Sequence, residues 1–209
     1  SYMSASGAAF DISEHLPPLS ARDVFRNSKP VTLDIGCGGG EFLLELSRLL
    51  PDFNHIGVEI KAGRFKKAVK AAQKSGAENV RFIHLDGFLA AGLFAPDTFE
   101  RVYINFPDPW PKDRHRKHRI VSPDFVSVLG SAIRAGGRLE VASDHDEYIT
   151  SVAEILDRSE EFENCSGPAP LASYPGDRPP TGFEKIFREQ GVEIKYLMYR
   201  AAAGERRAV

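Results

Sequence analysis

A glycine-rich turn near residue 36 carries the first recognisable chemistry of the chain. It reads DIGCGGG from Asp34 to Gly40 and lies between an apolar run and a helical pattern that begins at Glu41. Because glycine has no Cβ, the backbone of such a turn can approach a ligand closely. Two further acids, Glu59 and Asp86, each end a later apolar run. The turn and the three acids predict a binding site beyond the carboxyl ends of parallel strands.

The spacing of the glycines distinguishes between two adenosine-containing classes of cofactor. The dinucleotide fingerprint G-x-G-x-x-G requires a glycine where the chain has Glu41, and a carboxylate at a helix start repels a pyrophosphate. The spacing found here, acid-x-G-x-G-x-G, is typical of class I methyltransferases that use S-adenosylmethionine (SAM). SAM has no phosphate and carries a cationic sulfonium, so acidic residues suit it. We therefore expect SAM as the cofactor, with Gly36 and Gly38 in the turn that contacts it.

Each acid has an expected role toward SAM. Glu59 follows the turn by about twenty residues and is placed to accept hydrogen bonds from the ribose hydroxyls. Asp86 is placed to receive the adenine amino group, and Asp34 to hold the turn near the charged end of SAM. Alternatively, each acid is a solvated strand end. The repetition of acids at successive strand ends, together with the turn, favours the cofactor.

A second motif, NFPDPWPKDRHRKHR, follows the fourth apolar run. Alternating prolines fix the backbone on both sides of Asp108, so this carboxylate has little conformational freedom. Such pre-organisation is most useful where a group must face a reaction centre. Trp110 offers an apolar face either to a stacked base or to the core, and the sequence leaves both open.

The end of the same motif is strongly basic. Seven of the eight positions from 112 to 119 are cationic or histidine: Lys112, Arg114, His115, Arg116, Lys117, His118 and Arg119. A charge run is usually a solvated face, but its position beside the Asp108 loop favours a phosphate-binding strip. A metal site on His115 and His118 has no thiol nearby and many competing cations, so we expect no metal.

The elements that must position these residues alternate between strands and helices. The pattern predicts strands at 31–36, 55–60, 80–86, 101–106, 137–144 and 192–201, and helices at 41–50, 62–76, 122–136 and 147–159. We expect an α/β fold: a doubly wound, mostly parallel sheet with helices on both faces and an antiparallel last strand. One domain covers residues 1–209, with an N-terminal extension at 1–30 and a mobile, proline-rich loop at 166–180.

Composition limits the class of protein. With 209 residues, 42% hydrophobic and 27% charged, the chain suits one globular domain. No apolar stretch is long enough to span a membrane, and two cysteines are too few for a disulfide framework, so we expect a cytoplasmic protein. The net charge of −2 means that nucleic-acid binding must depend on local clustering of cations. A monomer and a homodimer are both open.

The motifs together resemble the bacterial tRNA (guanine-N7-)-methyltransferase family. The resemblance rests on DIGCGGGEFLLELS, GVEI, INFPDPWPK, SPDF, ASDHDEY and TGFEKIFREQG, in the family's order. It implies that Asp34, Glu59, Asp86 and Asp108 contact SAM or the reaction centre. The residues it assigns to the tRNA substrate are Lys112, Asp144, Thr181, Gly182, Phe183 and Glu184.

The resemblance also implies the acceptor, guanine 46 of the tRNA variable loop. Two positions depart from the family pattern: the family often has Glu at position 34 and usually has Lys at position 182. Guanine N7 has a free lone pair, so we expect Asp108 to orient the base or stabilise developing charge and not to accept a proton. Thr181 and Glu184 also fit a helix-capping box, which is compatible with substrate contact.

Three other functions compete with this interpretation. A SAM methyltransferase acting on a small molecule or protein keeps the turn and Glu59 but gives the basic run no purpose. A non-catalytic module that binds RNA or senses SAM is disfavoured by the presence of Asp108, Lys112 and Glu184. A nicotinamide dehydrogenase is disfavoured by Glu41.

Overall fold

The computed structural model describes residues 7–110, 118–172 and 177–203. Its strands are β1 (Val31–Ile35), β2 (Asn54–Val58), β3 (Val80–Ile83), β4 (Phe99–Asn105), β5 (Ile133–Ser143), β6 (Phe162–Asn164) and β7 (Lys195–Ala201). Its α-helices are α1 (Ala21–Phe25), α2 (Glu41–Leu49), α3 (Ala62–Ser75), α4 (Gly87–Leu93), α5 (Pro123–Ala132), α6 (Asp146–Asp157) and α7 (Gly182–Glu189). A short 3₁₀ helix, Ile12–Glu14, precedes them.

The strands of the described residues form one sheet in the order β3-β2-β1-β4-β5-β7-β6. Strands β1 to β5 are parallel, and β7 is antiparallel to both β5 and β6. This confirms the predicted mostly parallel sheet with an antiparallel last strand. The direction of strand succession reverses between β1 and β4, so the loops after these two strands open a crevice at the carboxyl edge, where ligands bind in doubly wound sheets.

Helices cover both faces of this sheet. Every residue of β1 and β2 is buried, as expected for central strands that are covered on both sides. Helices α2 and α3 contribute to one apolar cluster with β3, whereas α4, α5 and α6 contribute to a larger one on the strands. Ser122 caps α5 by accepting the Phe125 N–H at 3.3 Å, with Pro123 at the first helical position, as predicted.

One helix end and two short elements differ from the sequence prediction. The helix expected to reach residue 136 ends at Ala132, because Ile133 already pairs with Phe99 at the start of β5. Helix α4 was not predicted, since its seven residues include two glycines and propensity there is weak. The three-residue β6 was also not predicted, because an edge strand of this length has no readable alternation.

The segments outside the central alternation are held to the sheet by backbone hydrogen bonds. Near the N-terminus, Phe10 N–H donates to Phe82 O on β3 at 2.9 Å. In the proline-rich segment, Leu171 exchanges two backbone hydrogen bonds with Tyr196 on β7, at 2.8 and 2.9 Å. Leu171 is therefore attached to the sheet, and the mobility expected for the 166–180 loop stays a prediction.

Candidate active site

A cavity of about 360 Å³ opens at the carboxyl edge of the sheet, between the glycine turn and the start of α7. Six residues that the sequence singled out line it: Asp34, Gly36, Gly38, Thr181, Gly182 and Phe183. The structure thus brings together the turn and a segment almost 150 residues later in the chain, because β1 and the approach to α7 end at the same edge.

Other residues of the cavity wall were not predicted to be in the site. They include Asn105 at the end of β4, Phe106 just after it, and Ile186 on α7. Phe106 has a left-handed backbone, with φ of 50°, and its ring lies 5.9 Å from that of Phe183. The start of the proline loop is therefore packed against α7, so the loop after β4 and the helix form a common wall.

The glycine turn leaves room for a ligand. Gly36 and Gly38 have φ of 75° and 59°, which favours glycine, and a Cβ added to either would meet no atom within 4 Å. The turn is held from behind, since the N–H groups of Gly36 and Cys37 both donate to Val58 O, at 2.9 and 3.0 Å. The exposed side of the turn is free to approach a ligand.

Glu59 supports the turn directly. It is buried just beyond β2, and its Oε2 accepts the Gly38 N–H at 3.0 Å while its Oε1 accepts the Lys61 N–H at 2.7 Å. Each carboxylate oxygen has more than one acceptor site, so these bonds leave capacity for hydroxyl donors. The predicted contact with a ribose is compatible with this position and stays a prediction.

Asp34 has the most perturbed carboxyl of the cavity wall. Burial raises its pKa to about 7, against the opposing influence of Arg178 and the Asn105 amide, and Glu59 adds to the rise. Among the described residues, Asp34 Oδ1 accepts no hydrogen bond. A buried carboxylate without full hydrogen bonding favours the entry of a cation, which stabilises its charged form.

The other predicted acids lie at the same edge but outside the cavity wall. Asp86 caps α4, where its Oδ1 accepts the N–H groups of Phe88 and Leu89 at 2.9 and 3.3 Å. Asp108 and Asp144 are exposed in the loops after β4 and β5. Their predicted contacts with SAM and the substrate stay predictions.

The basic run falls largely outside the described residues. Lys112, expected to contact the substrate, lies there, as do Arg114, His115, Arg116 and Lys117. Arg119 is described and differs from the expected phosphate contact: its side chain is only 8% exposed, and its Nε donates to Pro109 O at 2.7 Å. Its guanidinium also lies 5.2 Å from the Tyr148 ring on α6. Arg119 therefore holds the proline loop against α6.

Glu184 is fully buried within a capping box at the start of α7. Its backbone N–H donates to Thr181 Oγ1 at 3.0 Å, its Oε2 accepts the Thr181 N–H, and its Oε1 accepts the Tyr196 hydroxyl at 2.8 Å. The predicted capping role is thus present, and Glu184 lies behind the cavity wall. A contact between Glu184 and the substrate stays a prediction, and it requires the capping box to open.

Arg178 is the main feature that sequence reasoning missed. Its side chain is fully buried, and its Nη2 donates to Asn105 Oδ1 at 2.8 Å and to Glu184 Oε2 at 3.2 Å. It lies in the proline-rich run GDRPP, where composition indicates an exposed loop. No local signal distinguishes it from a solvated arginine.

No cluster of three or more His, Cys, Asp or Glu side chains is arranged to hold a metal ion in the described ranges. Within the same ranges, none of the helices has the length and apolarity needed to cross a bilayer.

The fold is shared with solved methyltransferase structures. The aminoglycoside resistance methyltransferase NpmB1 matches with a TM-score of 0.61 at 18% identity, covering 88% of this chain and 95% of that one. TrmN from Thermus thermophilus matches with a TM-score of 0.57 at 18% identity, covering 86% of this chain and 46% of that one. With the strand order and the glycine turn, these likenesses define a class I methyltransferase fold.

Sequence comparison narrows the class. A family profile described as "Putative methyltransferase" matches residues 28–197. A tRNA (guanine-N(7)-)-methyltransferase of Halorhodospira halophila is 34% identical over 85% of this chain and 77% of its own length. Another, of Marinobacter nauticus, is 34% identical over 92% of this chain and 81% of its own length. The chain belongs to the tRNA (guanine-N(7)-)-methyltransferase family.

Proposed function

We propose that this protein transfers the methyl group of SAM to N7 of a guanine in tRNA. The observation that carries the proposal is the shared cavity, in which the acid–glycine turn faces Thr181, Gly182 and Phe183. The named relatives act, by their names, at the same atom of guanine in tRNA. We expect the acceptor to be guanine 46 of the variable loop, as the family resemblance implies.

The residues at the turn fit SAM. The open space beside Gly36 and Gly38 accommodates its methionine portion, and the incompletely bonded Asp34 carboxyl suits a cationic group. Glu59 holds the turn and has acceptor capacity for ribose hydroxyls. Asp86 lies in the turn between β3 and α4, where the adenine amino group is expected. When bound, SAM supplies an electrophilic methyl group on a sulfonium.

The chain must align the acceptor base and stabilise the charge that develops on it. Guanine N7 carries a lone pair and no proton, so no general base is needed. Positive charge accumulates on the purine as the methyl is transferred, and a carboxylate held by flanking prolines stabilises it electrostatically. We assign this role to Asp108, which acts without accepting a proton.

Recognition of guanine requires acceptors for its N1–H and N2–H donors. Asp144, exposed at the end of β5, and Glu184 are the candidates for these contacts. Thr181 and Gly182 offer a hydroxyl and a backbone group on the cavity wall, and the half-exposed Phe183 offers a face for stacking. Lys112 is the candidate for a nearby phosphate.

The tRNA backbone needs a cationic surface beside the cavity. Arg64 and Lys67, at the start of α3, line the cavity, and further exposed lysines continue along the same helix at positions 66, 70 and 74. N7 lies on the Hoogsteen edge, which is poorly accessible in the deep groove of an RNA helix. The acceptor base must therefore be presented from a loop or extruded from its stack.

The proposal is tested by incubating the protein with methyl-labelled SAM and bulk tRNA, followed by nucleoside analysis. We expect label in 7-methylguanosine. Label in another nucleoside would contradict the position of attack. Label in a small molecule or a protein, with none in tRNA, would favour the alternative methyltransferase function.

A further inference from the structure

We propose that Arg178 is a positioning residue that holds Asn105 and the start of α7 in fixed places on two sides of the cavity. This inference rests on the proposed function, because its consequence is the alignment of the tRNA base with the methyl donor. Asn105 and Thr181 both line the cavity, whereas Arg178 lies behind them.

Arg178 joins three separate elements. Its Nη2 donates to Asn105 Oδ1 at the end of β4 and to Glu184 Oε2 on α7, at 2.8 and 3.2 Å. Its Nη1 lies 3.8 Å from Glu140 Oε2 on β5. A guanidinium has five donors in a rigid plane and can serve several acceptors at once, which the ammonium of lysine cannot do in this geometry.

The contact with Asn105 decides which group of its amide faces Asp34. Arginine can only donate, so the amide oxygen of Asn105 must face Arg178 and the amide nitrogen must face away from it. That Nδ2 is buried beside Asp34 and has no well-formed hydrogen bond to a described residue. Arg178 therefore presents an oriented donor at the point where β1 and β4 border the cavity.

The contact with Glu184 fixes the start of α7. Glu184 Oε2 accepts both the Arg178 guanidinium and the Thr181 N–H, so the capping box and the arginine share one oxygen. Thr181 and the two residues that follow it form the α7 side of the cavity. A displacement of Arg178 would therefore move this wall as well as the Asn105 amide.

The surroundings of Arg178 restrict its movement. Its guanidinium carbon lies 4.9 Å from the ring centre of Phe42 and 5.7 Å from that of Tyr196. The preceding residue, Asp177, is held outside by Arg101 and Arg138, each 2.9 Å from Asp177 Oδ2. The Arg178 guanidinium is packed among aromatic rings, and the residue before it is held by arginines on β4 and β5. The side chain of Arg178 therefore has little freedom to rotate.

Arg178 also acts on the charge of the cavity wall. Asp34 is faced by Arg178, the Asn105 amide, Glu59 and the Cys37 thiol, and Arg178 favours its ionised form. Ionised Asp34 attracts a cationic ligand, so SAM affinity should rise with pH through the pKa of this carboxyl, about 7 in the free protein. Loss of the guanidinium should move that midpoint to higher pH.

Two substitutions separate the geometry of Arg178 from its charge. In Arg178→Lys the charge stays but the bridge between Asn105 and Glu184 is broken, so kcat for tRNA should fall about a hundredfold. The pH midpoint of SAM binding, measured by calorimetry without tRNA, should stay unchanged. In Arg178→Met kcat should fall and the midpoint should also rise. Arg134→Met, which removes an ion pair with Glu100 at the surface, is the control and should keep kcat and the midpoint.

A double-mutant cycle tests whether Arg178 affects activity through the Asn105 amide. Asn105→Leu removes the amide that Arg178 orients, so the double variant with Arg178→Lys should lose less activity than the product of the single losses. Thermal melting checks the fold of each variant, and Arg178→Lys still decides the outcome if Arg178→Met does not fold.

Wild-type kcat in Arg178→Lys would overturn the proposal. So would losses of kcat, SAM affinity and melting temperature that run in parallel across all variants, since these indicate a structural role only. A wild-type protein that forms no 7-methylguanosine would instead contradict the proposed function.

Discussion

The Asp34 carboxyl combines deep burial with a place on the cavity wall, and its protonation should be visible in stability. Its pKa is 3.8 in a short, solvated peptide and about 7 in the folded protein. The folded state therefore binds more protons than the unfolded state between these values, and the contribution of Asp34 to stability falls as pH rises from about 4 to about 7.

Asp34→Asn removes the titrating carboxyl, and with it the loss of stability as pH rises, without changing the volume of the side chain. The melting temperature of the variant relative to the wild type should increase between pH 5 and pH 8, when measured without ligand. The exposed Asp52→Asn serves as the matched control and should show a constant difference. A constant difference for Asp34→Asn as well would show that this carboxyl is ionised at pH 5.

Asp108 is expected to act on the reaction and not on cofactor binding. The carboxylate is exposed after β4, and the prolines on both sides limit its movement. Asp108→Asn should lower kcat by about a hundredfold or more, since it removes a charge that stabilises the transition state. The dissociation constant of SAM should stay close to that of the wild type. Unchanged turnover would remove Asp108 from the reaction centre.

At the scale of elements, α7 connects the cavity to the buried interior through Glu184. Glu184→Gln keeps the size of the side chain but removes the charge that pairs with Arg178. We expect tRNA use to weaken far more than SAM binding, because the wall formed by Thr181 and Phe183 shifts while the glycine turn stays in place. Steady-state kinetics with each substrate varied separately measures the difference.

Tyr196→Phe is the matched control for that variant. It removes the hydroxyl that donates to Glu184 Oε1 but keeps the charge and the capping box. We expect a decrease of about 1 kcal/mol in the free energy of unfolding and near-normal use of tRNA. If Glu184→Gln weakened SAM binding and tRNA use equally, the substrate-side role of Glu184 would be refuted.

The elements that the sequence predicted well are those set by short-range patterns. The glycine turn, the Ser122–Pro123 helix start and the capping box at Thr181 each depend on residues within a few positions of one another. Helix α4 was missed because its stabilisation comes from packing on the sheet and from the Asp86 cap, not from propensity.

Site residues could be predicted from the sequence only where a local motif also lies at the end of a central strand. Asp34, Gly36 and Gly38 end a central strand, so their convergence follows from topology. Arg178 pairs with Asn105, 73 positions away, and no local pattern specifies that pairing. Arg119 shows a similar error: its place in a charge run favoured a phosphate contact, yet its side chain contacts Pro109 and Tyr148 of α6.

At the scale of the whole molecule, the proposed binding of tRNA has to occur on a protein whose net charge is −2. The exposed face of α3 supplies cations next to the cavity, so part of the tRNA affinity should depend on salt. Lys66→Gln with Lys70→Gln should lower the slope of log affinity against log salt by about 0.7 for each phosphate that the two lysines neutralise in the wild type. Fluorescence titration over a range of KCl concentrations measures this slope.

A second double variant controls for total charge. Lys29 and Arg48 lie at the opposite, amino edge of the sheet, so Lys29→Gln with Arg48→Gln removes the same charge far from the cavity. The salt slope of this variant should match that of the wild type. Equal slopes for both double variants would show that α3 does not bind the tRNA backbone.

The proposed function depends above all on the binding of the cofactor in the cavity at the carboxyl edge of the sheet. The most direct test is a crystal structure of the protein with S-adenosylhomocysteine, the product left after methyl transfer. We predict electron density in the cavity beside Gly36 and Gly38, with the ribose hydroxyls on Glu59 and the adenine near Asp86. Density at the amino edge of the sheet, or on the far side of α7 from the glycine turn, would contradict both the cofactor site and the function proposed from it.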